Sequence, residues 1–381
     1  MMTNVHPMLT SLAGRPQTTD GSIALRNLDA QIEGLQAEAT SGYSTAETQL
    51  CLIDLLVLRG RTLGRIADYR RAKQLANQFV REIGSAESFL ARARIHALLH
   101  RFRAALDDLD IAQDLSIDEA TADEERAAIF QGLGRYDEAL ALRKQAVARC
   151  PTFESLAALA GLCAERGEVE TAQQLHVDSQ SRYRGVSPFP LALLDFQFGH
   201  MWMHQGEWKE AQKLLQFAVQ RLPAYAPAQG HLAEVEAEIG DGENALARLY
   251  PLAMSSDDPD YPSQLARILQ ALGRIEESRH WCRLAATLYD SLVVEYPEAF
   301  ADHAAEFWLG PGANPDKALE LARINFATRK TPRSHSLLSR AFGANETLRS
   351  GSHDIGCQRI ESEEPKAVVH PRKGAEPWLR K

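Results

Sequence analysis

The feature that most constrains this chain is a recurrence with a period of about 34 residues. Ala72, Ala105, Ala139, Ala172, Ala211, Ala245, Ser278 and Ala318 follow one another at steps of 33, 34, 33, 39, 34, 33 and 40 residues. Three residues before most of them stands a larger apolar group: Tyr69, Phe102, Tyr136, Val169, Trp208 and Ile275. Two residues earlier, a glycine recurs at Gly134, Gly167, Gly206, Gly240 and Gly273. The stretch Gly199–Pro223 shows the unit whole: a helix, a turn around Gly206, and a second helix closed by Pro223. Such a hairpin has one apolar face and is too small to bury it alone. Stacking neighbours makes a continuous core. The small residues let paired helices approach closely.

This pattern of small residue, aromatic, turn glycine, aromatic, alanine and proline resembles the tetratricopeptide repeat family, with about eight repeats over residues 53–344. The resemblance implies an all-α fold, a right-handed superhelical solenoid of stacked antiparallel helix hairpins. Some positions depart from the pattern. Gly242 replaces an aromatic, and Arg143 and His176 occupy second-helix sites that are normally apolar. The expected organisation is a disordered N-terminus over 1–21, a capping helix and linker over 22–52, the solenoid over 53–344, and a disordered tail over 345–381. Within residues 22–52, Leu25, Leu28, Ile32 and Leu35 have helical spacing over Ile23–Ala39. The insert Arg182–Pro190, RYRGVSPFP, predicts a kink that divides the array. Glu276–Pro297 predicts an extended helix, and Ser334–Phe342 a closing half-unit.

Composition narrows the partner classes. The net charge of −9 argues against a surface that binds nucleic acid throughout. Five scattered cysteines, none in a CxxC pair, fit free thiols in a reducing compartment. The N-terminus does not read as a secretory signal, and no window of about 18 apolar residues predicts a membrane span. The expected location is cytoplasmic. Charge is unevenly spread: residues 51–103 hold eleven Lys and Arg against four Asp and Glu, leaving 31 against 47 elsewhere from totals of 42 and 51.

No phosphate loop, dinucleotide fingerprint, GxSxG or HExxH motif is present. A non-enzymatic chain with no cofactor is therefore expected. His200 and His204 lie at i and i+4, a spacing that suits metal ligation, but the sequence identifies no third ligand and no metal site is expected. His96 and His100 share that spacing. Asp107, Asp108 and Asp110, and likewise Asp257, Asp258 and Asp260, read as solvated acidic runs.

In the family, one face of each first helix lines the concave groove. Carried onto this chain, that face includes Arg61, Arg65, Arg94, His200, His204 and Arg267. Phe196 and Met203 add aromatic and soft apolar contacts beside the histidines. These eight residues form the expected ligand-binding groove. Guanidinium forks match carboxylates and phosphates, so the basic end suits a partner with an acidic segment. The lysine–asparagine carboxylate clamp of some family members is absent: Val57, Arg61, Leu90 and Arg94 stand near its places. The expected role is a scaffold or adaptor holding a peptide segment of a partner protein. The alternatives are a sensor whose curvature changes on binding a peptide or small anion, and, below it, a histidine-based metal-binding protein. DNA is not expected as a partner, and RNA is disfavoured because aromatic stacking positions for single strands are lacking.

Overall fold

The computed structural model describes residues 15–41 and 45–354. Among these residues there are eighteen helices and no strand. Helix α1 (Gly21–Thr40) stands alone. Eight hairpins follow. They are α2 (Ala46–Leu63) with α3 (Ile66–Glu82), α4 (Ala86–Leu98) with α5 (Phe102–Asp114), α6 (Glu119–Leu133) with α7 (Tyr136–Arg149), and α8 (Phe153–Glu165) with α9 (Val169–Arg182). Then come α10 (Phe189–His204) with α11 (Trp208–Arg221), α12 (Ala226–Glu238) with α13 (Gly242–Ser255), α14 (Asp260–Ala271) with α15 (Ile275–Glu295), and α16 (Pro297–Leu309) with α17 (Pro315–Thr328). Helix α18 (Pro332–Asp354) ends the described chain.

All eight marker residues fall in the second helix of a hairpin and are buried. Seven are alanines. At the eighth, the Ser278 hydroxyl donates to the Ala266 carbonyl across the hairpin at 2.7 Å, so its burial leaves no unpaired polar group. The partner position on the first helix is equally tight. A Cβ on Gly199 would lie 2.7 Å from Leu215 Cγ, which is why α10 and α11 pack so closely there. Around that contact Phe198, Met201, Trp202, Leu214 and Leu215 form one core with Phe153, Leu159 and Tyr183.

That core runs through the expected kink. The connection after α9 is non-helical from Tyr183 to Pro188, and α10 meets α9 more sparsely than other successive hairpins meet. The apolar side chains of α8 to α11 nevertheless stay continuous across it. Helix α1 covers the first hairpin, with Leu28 and Ile32 packed among Leu52, Ile53 and Leu56. The extended helix expected near Glu276–Pro297 is α15, 21 residues long.

Both ends of the array are longer than expected. Helix α18 continues ten residues past the boundary at 344, to Asp354, and buried Asn345 on it donates its amide to Asp316. At the other end the chain is packed from Arg15 onward rather than from residue 22. Residues 1–14 and 355–381, where the remaining terminal expectations fall, lie outside the described residues.

The superhelix closes on itself. Asp257, in the loop between α13 and α14, accepts hydrogen bonds from the Ile66 and Ala67 amides at 2.6 and 2.9 Å, and so caps the N-terminus of α3. Those amides are orphan donors at a helix start, where a carboxylate also meets the positive end of the helix dipole. His100 Nδ1 lies 3.1 Å from the Glu298 carbonyl, and the Lys330 amide donates to the Leu133 carbonyl at 3.0 Å. Each contact joins residues about 190–200 positions apart, or between five and six units of about 34. The first three hairpins therefore rest on the last three.

Candidate functional site

Three of the first helices bring the central candidate residues together. Helix α10 presents Phe196, His200 and His204, α12 presents His231 and Glu234, and α14 presents Arg267. The aromatic rings form one shelf. His200 meets His204 edge-on at 4.4 Å and His231 at 5.1 Å. Phe196 lies 6.2 Å from His200, 5.4 Å from His231 and 5.4 Å from Tyr225. Burial pushes the His200 imidazole down to about 2, and His231, His204 and Arg333 reinforce the shift. His204 is lowered for the same reasons, burial first. Both rings are neutral at pH 7 and can stack or exchange single hydrogen bonds.

Beside the shelf, Glu234 is bound by Arg267 at 2.6 Å and lies 3.2 Å from His231. Burial alone would raise its pKa, but Arg267 and His231 outweigh burial and hold the carboxyl well below the usual range. Arg267 is thus held in an ion pair, with 33% of its side chain exposed. Met203 packs against the α8–α11 core. Of the central residues expected to line the groove, Phe196, His200 and His204 share ring contacts, whereas Met203 is partly buried against the core and Arg267 pairs with Glu234.

The basic end is also divided. Arg94 pairs with Glu125 at 2.6 Å and lies 4.0 Å from Asp54. Arg61 and Arg65 are exposed and have no ion-pair partner among the described residues. Closure packs α2 against α12, and Arg61 lies near enough to the Tyr225 phenol to oppose the rise in its pKa that burial causes. Through Tyr225, an arginine from the first hairpin adjoins the shelf of the fifth and sixth.

Two acidic runs behave differently from the solvated faces expected of them. Asp108 is buried and bound bidentately by Arg92 at 2.8 and 2.6 Å, because it lies on the side of α5 that faces α4. Its neighbours Asp107 and Asp110 are exposed, as expected. Asp257 caps α3. Asp260 receives hydrogen bonds from Tyr289 and, at 2.7 Å, from His303 Nδ1. These bonds and the His303 charge hold the Asp260 carboxyl low against the effect of burial, whereas burial and the Asp260 charge push Asp258 up. Asp260, followed by Asp302, raises His303 to about 10. The sequence gives no sign of this cluster, since its partners come from α15 and α16.

The His303–Asp260 bond carries a pH signature. The folded-state pKa of His303 lies above the unfolded value of about 6.5. The bond's contribution is therefore complete below about pH 6.5 and disappears as pH rises toward 10. It is also lost at low pH, as Asp260 protonates. Wild type should out-melt His303→Gln by most near pH 6, with the gap narrowing by pH 9. A gap in melting temperature that stays constant from pH 6 to pH 9 would sink the assignment.

Among the described residues, no group of three His, Cys, Asp or Glu side chains is placed to hold a metal ion. No helix there is long and apolar enough to cross a membrane.

Eight hairpins of this period, closing into a superhelix, decide the architecture. The fold is a tetratricopeptide-type repeat solenoid. No protein-family model matches the sequence, and no curated protein matches it. Among solved structures, the human IFIT1 dimer with PPP-AAAA resembles the chain with a TM-score of 0.52 at 17% identity, over 81% of this chain and 74% of that one. The human IFIT1 dimer with m7Gppp-AAAA gives 0.52 at 16%, over 80% and 72%. A chain of the APC/C hetero-tetramer Cut9–Hcn1 gives 0.47 at 13%, over 77% of this chain and only 55% of that one.

Proposed function

We propose that this solenoid is a non-enzymatic interaction scaffold that holds an extended segment of a partner protein along its concave face. The observation that carries this reading is the junction of two unlike surfaces. Arg61, exposed and without an ion-pair partner among the described residues, lies near Tyr225, which adjoins the rings of Phe196, His200 and His204; Arg65, also exposed and unpaired there, follows one helical turn later. A segment with an acidic residue next to an apolar or aromatic one matches that junction. Its carboxylate meets a guanidinium fork, and its ring covers the shelf.

The test is capture with crosslinking, comparing wild type with the Arg61→Glu/Arg65→Glu double variant. Both positions are exposed, so the variant should fold normally. The partners recovered by wild type should be lost, or reduced at least tenfold. Equal recovery by both proteins would remove the basic end from the site.

The IFIT1 structures hold RNA and supply a second reading, in which a nucleic-acid end binds on the concave side. A gel-shift series with triphosphorylated and capped oligonucleotides, run at two salt concentrations, separates the two readings. Salt-dependent RNA binding abolished by the double variant would favour RNA.

A further inference from the structure

The segment Arg15–Asp20, which precedes α1, lies against the middle of the solenoid in the manner of a bound peptide. Its side chain and its backbone are both held. Arg15 is 6% exposed, and its Nη1 donates to Asp195 Oδ1 at 2.7 Å, while the guanidinium lies 4.0 Å from the Phe217 ring centroid. Asp195, on α10, is completely buried. Arg221 of α11 donates to the Pro16 carbonyl at 3.1 Å and to the Thr18 hydroxyl at 3.3 Å. The Thr19 amide donates to the Val186 carbonyl at 2.7 Å, inside the α9–α10 connection. A Cβ on Gly21 would lie 2.5 Å from the Arg221 carbonyl oxygen, so the segment leaves the groove at a residue that must be small.

The repeat pattern breaks where this segment lies. His176 takes an apolar second-helix position and is wholly buried, 3.7 Å from Asp195 and edge-on to Phe198 at 3.8 Å. The long 39-residue step falls here as well, between Ala172 and Ala211. A polar floor, an aromatic wall and a widened joint therefore coincide at one place in the array. Of the five hydrogen bonds that a guanidinium can donate, Arg15 makes one; its Nε and Nη2 have no partner among the described residues. Such a fit is one that another arginine can contest.

We propose that the pocket floored by Asp195 is a peptide-binding site for an extended arginine-bearing segment, filled in this structure by the chain's own Arg15–Asp20. The site is separate from the concave shelf and does not depend on what binds there. A tethered occupant has an effective concentration in the millimolar range, so a free peptide gains access only when the cis arm is weakened.

The probe is a fluorescent peptide of residues 15–24, and anisotropy measures its binding to the full-length chain. A full-length Arg15→Ala chain, with wild-type helicity by circular dichroism, should bind the peptide at least tenfold more tightly than wild type does. A peptide carrying Arg15→Ala should bind that chain at least tenfold more weakly than the wild-type peptide. Equal affinity of the two chains, equal affinity of the two peptides, or no binding to the folded variant would each overturn the proposal. A second measurement needs no variant. In wild type, excess peptide should accelerate hydrogen exchange at the Thr19 amide while the core amides of α10 stay unchanged. An unchanged Thr19 rate under saturating peptide would overturn it as well.

Discussion

Asp195→Ala is expected to destabilise the solenoid by about 3–5 kcal/mol, the usual consequence of removing one partner from a buried ion pair. Asp195 is completely buried, with the Arg15 guanidinium at 2.7 Å and Arg221 Nε at 4.0 Å. Without the carboxylate, two buried cations face each other and the apolar core of α8 to α11. His176 cannot compensate. Burial and then Arg15 push it down to about 3, so it is already neutral and has no negative charge to offer. Burial raises the Asp195 pKa, and Arg15 and then Arg221 oppose that rise. At roughly 2 °C per kcal/mol for a chain of this size, the melting point should fall by about 6–10 °C. Glu276→Ala provides the control. Its pair with Arg279 is exposed on α15, and exposed pairs contribute about 0–1 kcal/mol. Comparable melting points for Asp195→Ala and Glu276→Ala would show that the arm contributes nothing.

The repeat was legible in the sequence because it is local twice over. The helical period is read within a dozen residues, and the unit period is read by comparing neighbours. Ala72, Ala139 and Ala211 could be placed on the buried face of a second helix without any knowledge of distant contacts. The helix spacing of His200, His204 and Phe196 was legible for the same reason. What could not be read is the pitch of the superhelix. Pitch accumulates from small rotations between successive units, and no single residue reports it. Asp257 therefore looked like one of three solvated acids until closure brought it to the end of α3. Arg94 looked free until α6 placed Glu125 beside it, and Arg267 until Glu234 reached it from α12. His176 is the exception. Its polar side chain at an apolar repeat position is a departure visible in the sequence, although nothing local points to Asp195 or to Arg15, 180 positions from it.

If closure is as tight as these contacts make it, Gly134→Ala will be far more damaging than Gly167→Ala, although the two glycines occupy equivalent turns. Both have positive φ, 83° and 78°, so alanine carries the left-handed cost of about 1–2 kcal/mol at either place. They differ in what lies above the turn. A Cβ on Gly167 has nothing within 4 Å. A Cβ on Gly134 would lie 2.5 Å from the Lys330 carbonyl oxygen and 3.1 Å from the Thr331 amide nitrogen. That neighbour is backbone and cannot rotate away. It also belongs to the segment whose Lys330 amide bonds the Leu133 carbonyl at 3.0 Å, so the two superhelical turns must separate to admit the methyl group. Overpacking of this kind adds about 1–3 kcal/mol, giving a total of about 2–5 kcal/mol for Gly134→Ala against about 1–2 for Gly167→Ala. Beyond the melting point, small-angle scattering should show an increase in radius of gyration for Gly134→Ala alone, because only there is the last turn of the solenoid pushed off the first. Equal melting points and unchanged scattering for both variants would mean that the turns do not touch in solution. In that case Asp257 would not cap α3, and Arg61 would not reach the shelf at Tyr225.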